Sequence, residues 1–159
     1  MSKIETQYNT RLSDAVQNIK PSGIRRFFDL ASTMENIISL GVGEPDFVTP
    51  WNVREASISS LERGFTAYTA NAGLLELREE IAKYLDGRFH LTYNPKDEIL
   101  VTVGASEAID LALRAIVNPG DEVIVVEPTF VSYAPIVSLA GGVPVSIGTS
   151  KADNFKLKA

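Results

Sequence analysis

Apolar positions change their period along this chain. As far as about residue 97 they recur mainly at helical spacing, and beyond it they gather into short blocks separated by further helical stretches. Ile24 to Met34, with Phe27, Phe28, Leu30 and Ala31, predicts a helix behind the break at Pro21-Ser22-Gly23. An apolar run, Ile37-Ile38-Ser39-Leu40, leads into a glycine- and proline-rich loop reaching Pro50, where the prolines forbid regular helix. Two helices are expected next. The first covers Trp51 to Arg63 and stops before Gly64, a residue suited to a left-handed helix end. The second covers Leu74 to Leu85, with Leu74, Leu77, Ile81 and Leu85 on one face and Glu79 four residues ahead of Lys83, the spacing of a surface ion pair.

From Glu98 onward the blocks read as strands. Ile99 to Val103 is a β-branched run closed by Gly104; Ala105 to Val117 places Ala108, Ile109, Ala112, Leu113 and Ile116 at helical spacing. Asp121 to Val126 is a second strand, Thr129 to Ala140 a helix, and Val143 to Ile147 a third strand behind the pair Gly141-Gly142. Continuous apolar strands alternating with amphipathic helices predict an α/β fold with a mostly parallel sheet covered on both faces. Such sheets bind ligands beyond the carboxyl ends of their strands. The chain carries no internal repeat, low-complexity segment or long linker.

Composition narrows the function more than the fold. The chain has 159 residues, 45% of them apolar and 22% charged, as in ordinary globular proteins. Its formal charge of -5 argues against broad nucleic-acid or anionic-membrane binding, which needs a basic footprint. Without cysteine there is no disulfide, thiolate nucleophile or thiolate metal site. Residues 1–20 lack the apolar core of a signal peptide, and no stretch approaches a bilayer-spanning run. The expectation is a cytoplasmic protein. The single histidine, His90, lies in a polar stretch and is assigned to a surface loop, with no second ligand for a metal and no partners for a Ser-His-Asp arrangement. Trp51 is expected to pack at a helix start, and Glu44 and Asp46 to be solvated or capping.

Five places carry candidate chemistry. At Gly104-Ala105-Ser106 a strand turns at once into a helix, leaving N–H groups at the positive end of the helix dipole, where a phosphate is stabilised. The competing role for Ser106 is to cap its own helix. The turn lacks the G-x-G-x-x-G spacing of a dinucleotide site and the lysine of a nucleoside triphosphate loop. Phe130, in Glu127-Pro128-Thr129-Phe130-Val131-Ser132-Tyr133, is placed to stack on a flat heteroaromatic ring, or else to fill core. Gly43 admits a ligand close to the main chain, or supplies an unusual dihedral. Tyr68 offers a phenol to a phosphate oxygen, or packs in a turn, and Pro21 to Ile24 flanks a site mouth or simply starts a helix.

Taken in order, five motifs carry a resemblance: Gly43-Glu44-Pro45-Asp46-Phe47 with Thr49-Pro50; Tyr68 with Ala72-Gly73 and Leu77-Arg78; Val101-Thr102-Val103-Gly104; Asn118 to Ile124; and Pro128 with Ser132-Tyr133. From Pro21 to Lys158 the chain resembles the N-terminal part of class I and II, fold-type-I aminotransferases of the aspartate or aromatic kind. The resemblance implies a partial fold-type-I transferase fold: an N-terminal arm and small-domain segment over 1–50, and the start of the large cofactor-binding domain over 51–159. It implies pyridoxal 5'-phosphate as cofactor, an amino acid and a 2-oxo acid as substrates, and a homodimer. It assigns Gly43 to the substrate carboxylate, Gly104, Ala105 and Ser106 to the cofactor phosphate, Phe130 to the pyridine ring, and Tyr68 to the phosphate bound by the neighbouring subunit.

In the family, the asparagine and aspartate that contact the ring, the Schiff-base lysine and the substrate-binding arginine come later than these motifs. Lys151, Lys156 and Lys158 do not stand in that lysine's context. The expectation is that no catalytic lysine lies within these residues and that the 159 residues alone are inactive and poorly soluble. A carbon-sulfur lyase or cyclising synthase of the same fold, a non-catalytic remnant and the sensing domain of a regulator remain alternatives at this point.

Overall fold

In the computed structural model, described for residues 11–36, 38, 43 and 45–158, the chain divides into two compact units, Met1–Thr33 with Val103–Ala159, and Met34–Thr102. In the first unit, helix α1 (Asp14–Asn18) starts where the Ser13 hydroxyl accepts the Val16 N–H at 3.4 Å. The sequence pattern offers no stripe for so short a helix, and the cap is what defines it. Helix α2 (Ile24–Ser32) ends two residues before the predicted Met34. Ser32 and Thr33 explain the stop, because their hydroxyls donate back to the carbonyls of Asp29 and Leu30 at 2.8 and 2.7 Å.

The second unit holds two helices. Helix α3 (Trp51–Glu62) ends as predicted, with Gly64 at φ +77° and the Phe65 N–H returning to the Ser60 carbonyl. Helix α4 (Leu75–Phe89) runs four residues beyond the predicted end. His90 stops it in the left-handed region, φ +57°, while the Leu91 N–H reaches back to Leu85 O at 3.3 Å. The histidine expected in a loop is thus an exposed helix terminator. The expected Glu79–Lys83 pair is also corrected: Lys83 bonds to Glu80 at 2.6 Å, one turn back at i,i+3. That hydrogen bond holds the Lys83 ammonium above the ordinary lysine value. Both side chains are exposed, so the pair contributes little to stability.

Arg78 is the polar exception in this unit. Its side chain is buried, with 6% of its surface exposed. Nε donates to the Gly73 carbonyl at 3.2 Å, and Nη1 donates to Pro95 O at 2.7 Å and Lys96 O at 3.0 Å. The acceptors are main-chain oxygens from a turn and a loop, so one side chain ties together segments 17 and 18 residues away.

Helix α5 (Gly104–Ile116), strand β1 (Glu122–Glu127), helix α6 (Tyr133–Leu139) and strand β2 (Val143–Gly148) follow, with a 3-10 turn at Lys151–Asp153. The strands pair in parallel, Glu122 opposite Val143 through Glu127 opposite Gly148. They are joined through α6, as a parallel pair requires. The predicted first strand, Ile99 to Val103, does not form a ladder among the described residues. The Val101 N–H instead donates to Ala72 O at 3.0 Å, so its backbone is spent on a turn of its own unit. Helix α6 begins at Tyr133 rather than Thr129, because the preceding residues form a turn closed from the Tyr133 N–H to Phe130 O.

The expectation of a sheet covered on both faces holds for one face only among the described residues. Val125 on β1 and Val137 on α6 are buried, whereas Ile124, on the opposite side of the pleat, is 60% exposed. Close packing at the buried side explains the glycine pair: a Cβ on Gly142 would stand 2.9 Å from Val117 Cγ1 and 3.1 Å from Val137 Cγ1. The connection from α5 to β1 is a tight turn in which Pro119 sets φ, Gly120 sits at +90°, and the Asp121 N–H closes on Asn118 O at 3.1 Å. The Asp121 carboxylate also accepts the Asn118 N–H at 2.8 Å and its Nδ2 at 3.1 Å.

Candidate functional site

Helix α5 is the place where the fold starts a long helix without a side-chain cap. Gly104, at φ +83°, turns the chain directly into the helix, a conformation that a side chain at this position disfavours. The residue ahead of it, Val103, has no side-chain acceptor and supplies no cap. Ser106 is the third helical residue rather than the cap, so the structure removes the self-capping role weighed from sequence. Ala105 and Ser106 are exposed. Glu107 turns its carboxylate back to accept the Val103 N–H, which satisfies that donor. Sequence reading passed over Glu107. A glutamate in a first turn without Ser or Thr ahead of it is the signal that was there to read.

Phe130 follows the carboxyl end of β1. It is 52% exposed within these residues, and its only ring neighbour among the described residues is Tyr133, edge-on at 5.7 Å. With Val125, Glu127, Pro128, Thr129 and Ala134 it lines a hollow of about 350 Å³. Glu127 is fixed there, its Oε1 accepting the Ser146 hydroxyl at 2.9 Å and its carbonyl accepting the Thr149 N–H at 2.7 Å. Helix α5 and β1 line a common apolar hollow and are joined by the short turn at Asn118–Asp121. They therefore run in opposite directions, and both are roughly 20 Å long from 13 helical and 6 extended residues. The start of α5 and the end of β1 thus lie at one edge of the layer, where open α/β sheets bind ligands.

A third hollow in this unit is bounded by Pro21, Ser22, Ile24, Phe28, Asp29 and Val131. The Pro21 to Ile24 segment and the neighbour of Phe130 therefore meet. Tyr68 and Gly43 belong to the other unit. Tyr68 is fully exposed, at 106% of its reference surface, so it does not pack in its turn. A Cβ on Gly43 would meet no described atom within 4 Å, so no neighbour within the described chain demands glycine there. Trp51, expected to pack, instead lies exposed with the Arg54 guanidinium 5.4 Å from its ring centre. Glu44 lies outside the described residues, and Asp46 is exposed.

The donor set fits a phosphorylated heteroaromatic cofactor. An exposed, uncapped start to a 13-residue helix suits the anion, and a half-exposed ring beside a hollow suits the planar part. No helix among the described residues is long and apolar enough to cross a membrane.

Comparison with known proteins gives the family of the chain. The putative aminotransferase YugH of Bacillus subtilis is 68% identical over 148 residues, covering 93% of this chain and 38% of its own length. An aspartate aminotransferase of Pyrococcus abyssi is 45% identical, covering 92% of this chain and 38% of its own. Among solved structures, the aspartate aminotransferase of Thermotoga maritima superposes with a TM-score of 0.88 at 38% identity, over 92% of this chain and 40% of that one. The chain thus spans about 38% of the length of the curated relatives it matches. The family described as "Aminotransferase class I and II" matches residues 35–159, and with the α/β layer and ligand edge described above, this chain belongs to that family.

Proposed function

We propose that this chain supplies the phosphate- and ring-holding part of a pyridoxal 5'-phosphate site in an enzyme that moves an amino group from an amino acid to a 2-oxo acid. The single observation that carries the reading is the uncapped start of α5 at the same layer edge as the exposed Phe130. Names among the relatives, aspartate aminotransferase and aromatic-amino-acid aminotransferase, support the reaction class. The enzyme acts in the cytoplasm as a homodimer, with residues 1–50 as arm and small-domain segment and 51–159 opening the large domain.

When bound, the cofactor supplies an electron sink for the bond broken at the substrate's α-carbon. This chain's residues bind and orient. The N–H groups of Ala105 and Ser106 and the Ser106 hydroxyl hold the phosphate, with Gly104 allowing the turn. Phe130 would stack on the ring and exclude water from one side of it. Gly43 gives the substrate carboxylate a main-chain N–H, and Tyr68 donates its phenol to the phosphate held by the partner subunit. These groups position the reactants, and positioning alone removes a large part of a bimolecular barrier.

The test uses a protein carrying this chain at the relatives' full length. Mixed with cofactor and an amino acid, it should form one 2-oxo acid per site in the first half-reaction, and a 2-oxo acid acceptor should then restore turnover. Release of pyruvate and a thiol or ammonia without an acceptor would instead identify a lyase and overturn the reading.

A further inference from the structure

We propose that Arg78 is a positioning residue for Tyr68, holding the Tyr68 loop at the height from which its phenol reaches a cofactor phosphate; this rests on the reading of Tyr68 given above. The loop has little else to hold it. Tyr68 is fully exposed, and its ring meets no other ring among the described residues. At its leading end the chain is fixed to α3 by the Phe65 N–H on Ser60 O and the Thr66 N–H on Gly64 O.

At its trailing end three bonds converge within four residues. The Gly73 N–H closes the turn on Ala70 O at 2.8 Å, Ala72 O accepts the Val101 N–H at 3.0 Å, and Gly73 O accepts Arg78 Nε at 3.2 Å. The same guanidinium reaches Pro95 O and Lys96 O, so it fixes the trailing end of the loop against the 95–101 segment. A buried cation held only by carbonyls is costly unless every bond is made, which makes its arrangement rigid. Lysine carries the charge but not the planar fork that serves acceptors in different directions. Arg78 also stands on the apolar stripe of α4, four residues after Leu74 and one after Leu77. A solubilising arginine belongs on the opposite face.

The experiment is a double-mutant cycle in the full-length enzyme, reading the equilibrium affinity of the apoenzyme for pyridoxal 5'-phosphate by absorbance titration. Tyr68→Phe should weaken binding, and R78M should weaken it by about tenfold, the scale of lost charge-assisted hydrogen bonds. The two together should weaken it no further than the larger single effect. R78K provides a milder variant that keeps the charge and folds where R78M does not; its loss should likewise vanish in the Tyr68→Phe background. Effects that add in full, or a lowered melting temperature with unchanged cofactor affinity, would make Arg78 merely structural and overturn the proposal. Unchanged affinity in Tyr68→Phe would remove Tyr68 from the site, and this proposal with it.

Discussion

At the scale of single residues, close approach decides which side chains are allowed. Gly73 sits at φ +96° and a Cβ there would stand 2.6 Å from the Val101 Cβ, an atom fixed to the main chain. Gly73→Ala should therefore destabilise the protein by roughly 2–4 kcal/mol, combining the left-handed backbone cost with overpacking. A melting temperature equal to the parent's would show that the turn relaxes at no cost. Phe130→Ala should weaken cofactor retention by ~1 kcal/mol, the scale of an aromatic stack, measured by dialysis against limiting cofactor. Sequence reading nominates Gly104, Ser106, Phe130 and Tyr68 from turn chemistry and from the family resemblance. Arg78 stood in a quoted motif yet received no role, since its acceptors are carbonyls that local sequence does not predict.

At the scale of elements, the helices were legible and the first predicted strand was not. Periodicity locates α4 and α5 because their apolar stripes are local properties of the chain, while α3 is bounded by Pro50 and Gly64. A strand depends on a neighbour, and Ile99 to Val103 has β-strand composition with no ladder among the described residues. The end of α4 lies beyond the apolar stripe that predicts it, because the stop is made by His90 in the left-handed region. Between α5 and β1, the Asp121 carboxylate holds the turn by two bonds to Asn118. Asp121→Ala should cost about 1–2 kcal/mol through the lost bonds and the unpaired Asn118 N–H. A denaturation midpoint identical to the parent's would show that solvent replaces them fully.

At the scale of the whole molecule, the buried apolar residues among those described are Val125 and Val137, while Ile124, Trp51, Phe65 and Leu61 are largely exposed. That is little burial against the conformational entropy of ordering the chain. The 159 residues expressed alone should show a weak near-ultraviolet circular dichroism spectrum and broad melting. Sharp aromatic bands and a cooperative transition would contradict this. The parallel pairing was legible from the alternation of blocks, but which face stays open depends on packing that periodicity does not encode.

The central claim is that the start of α5 and Phe130 hold one cofactor, and a crystal structure of the full-length enzyme with pyridoxal 5'-phosphate tests it most directly. The account predicts the phosphate within hydrogen-bond distance of the Ala105 and Ser106 N–H groups, with the pyridine ring lying against Phe130. A phosphate bound elsewhere, with solvent at this helix start and Phe130 turned away, would contradict it.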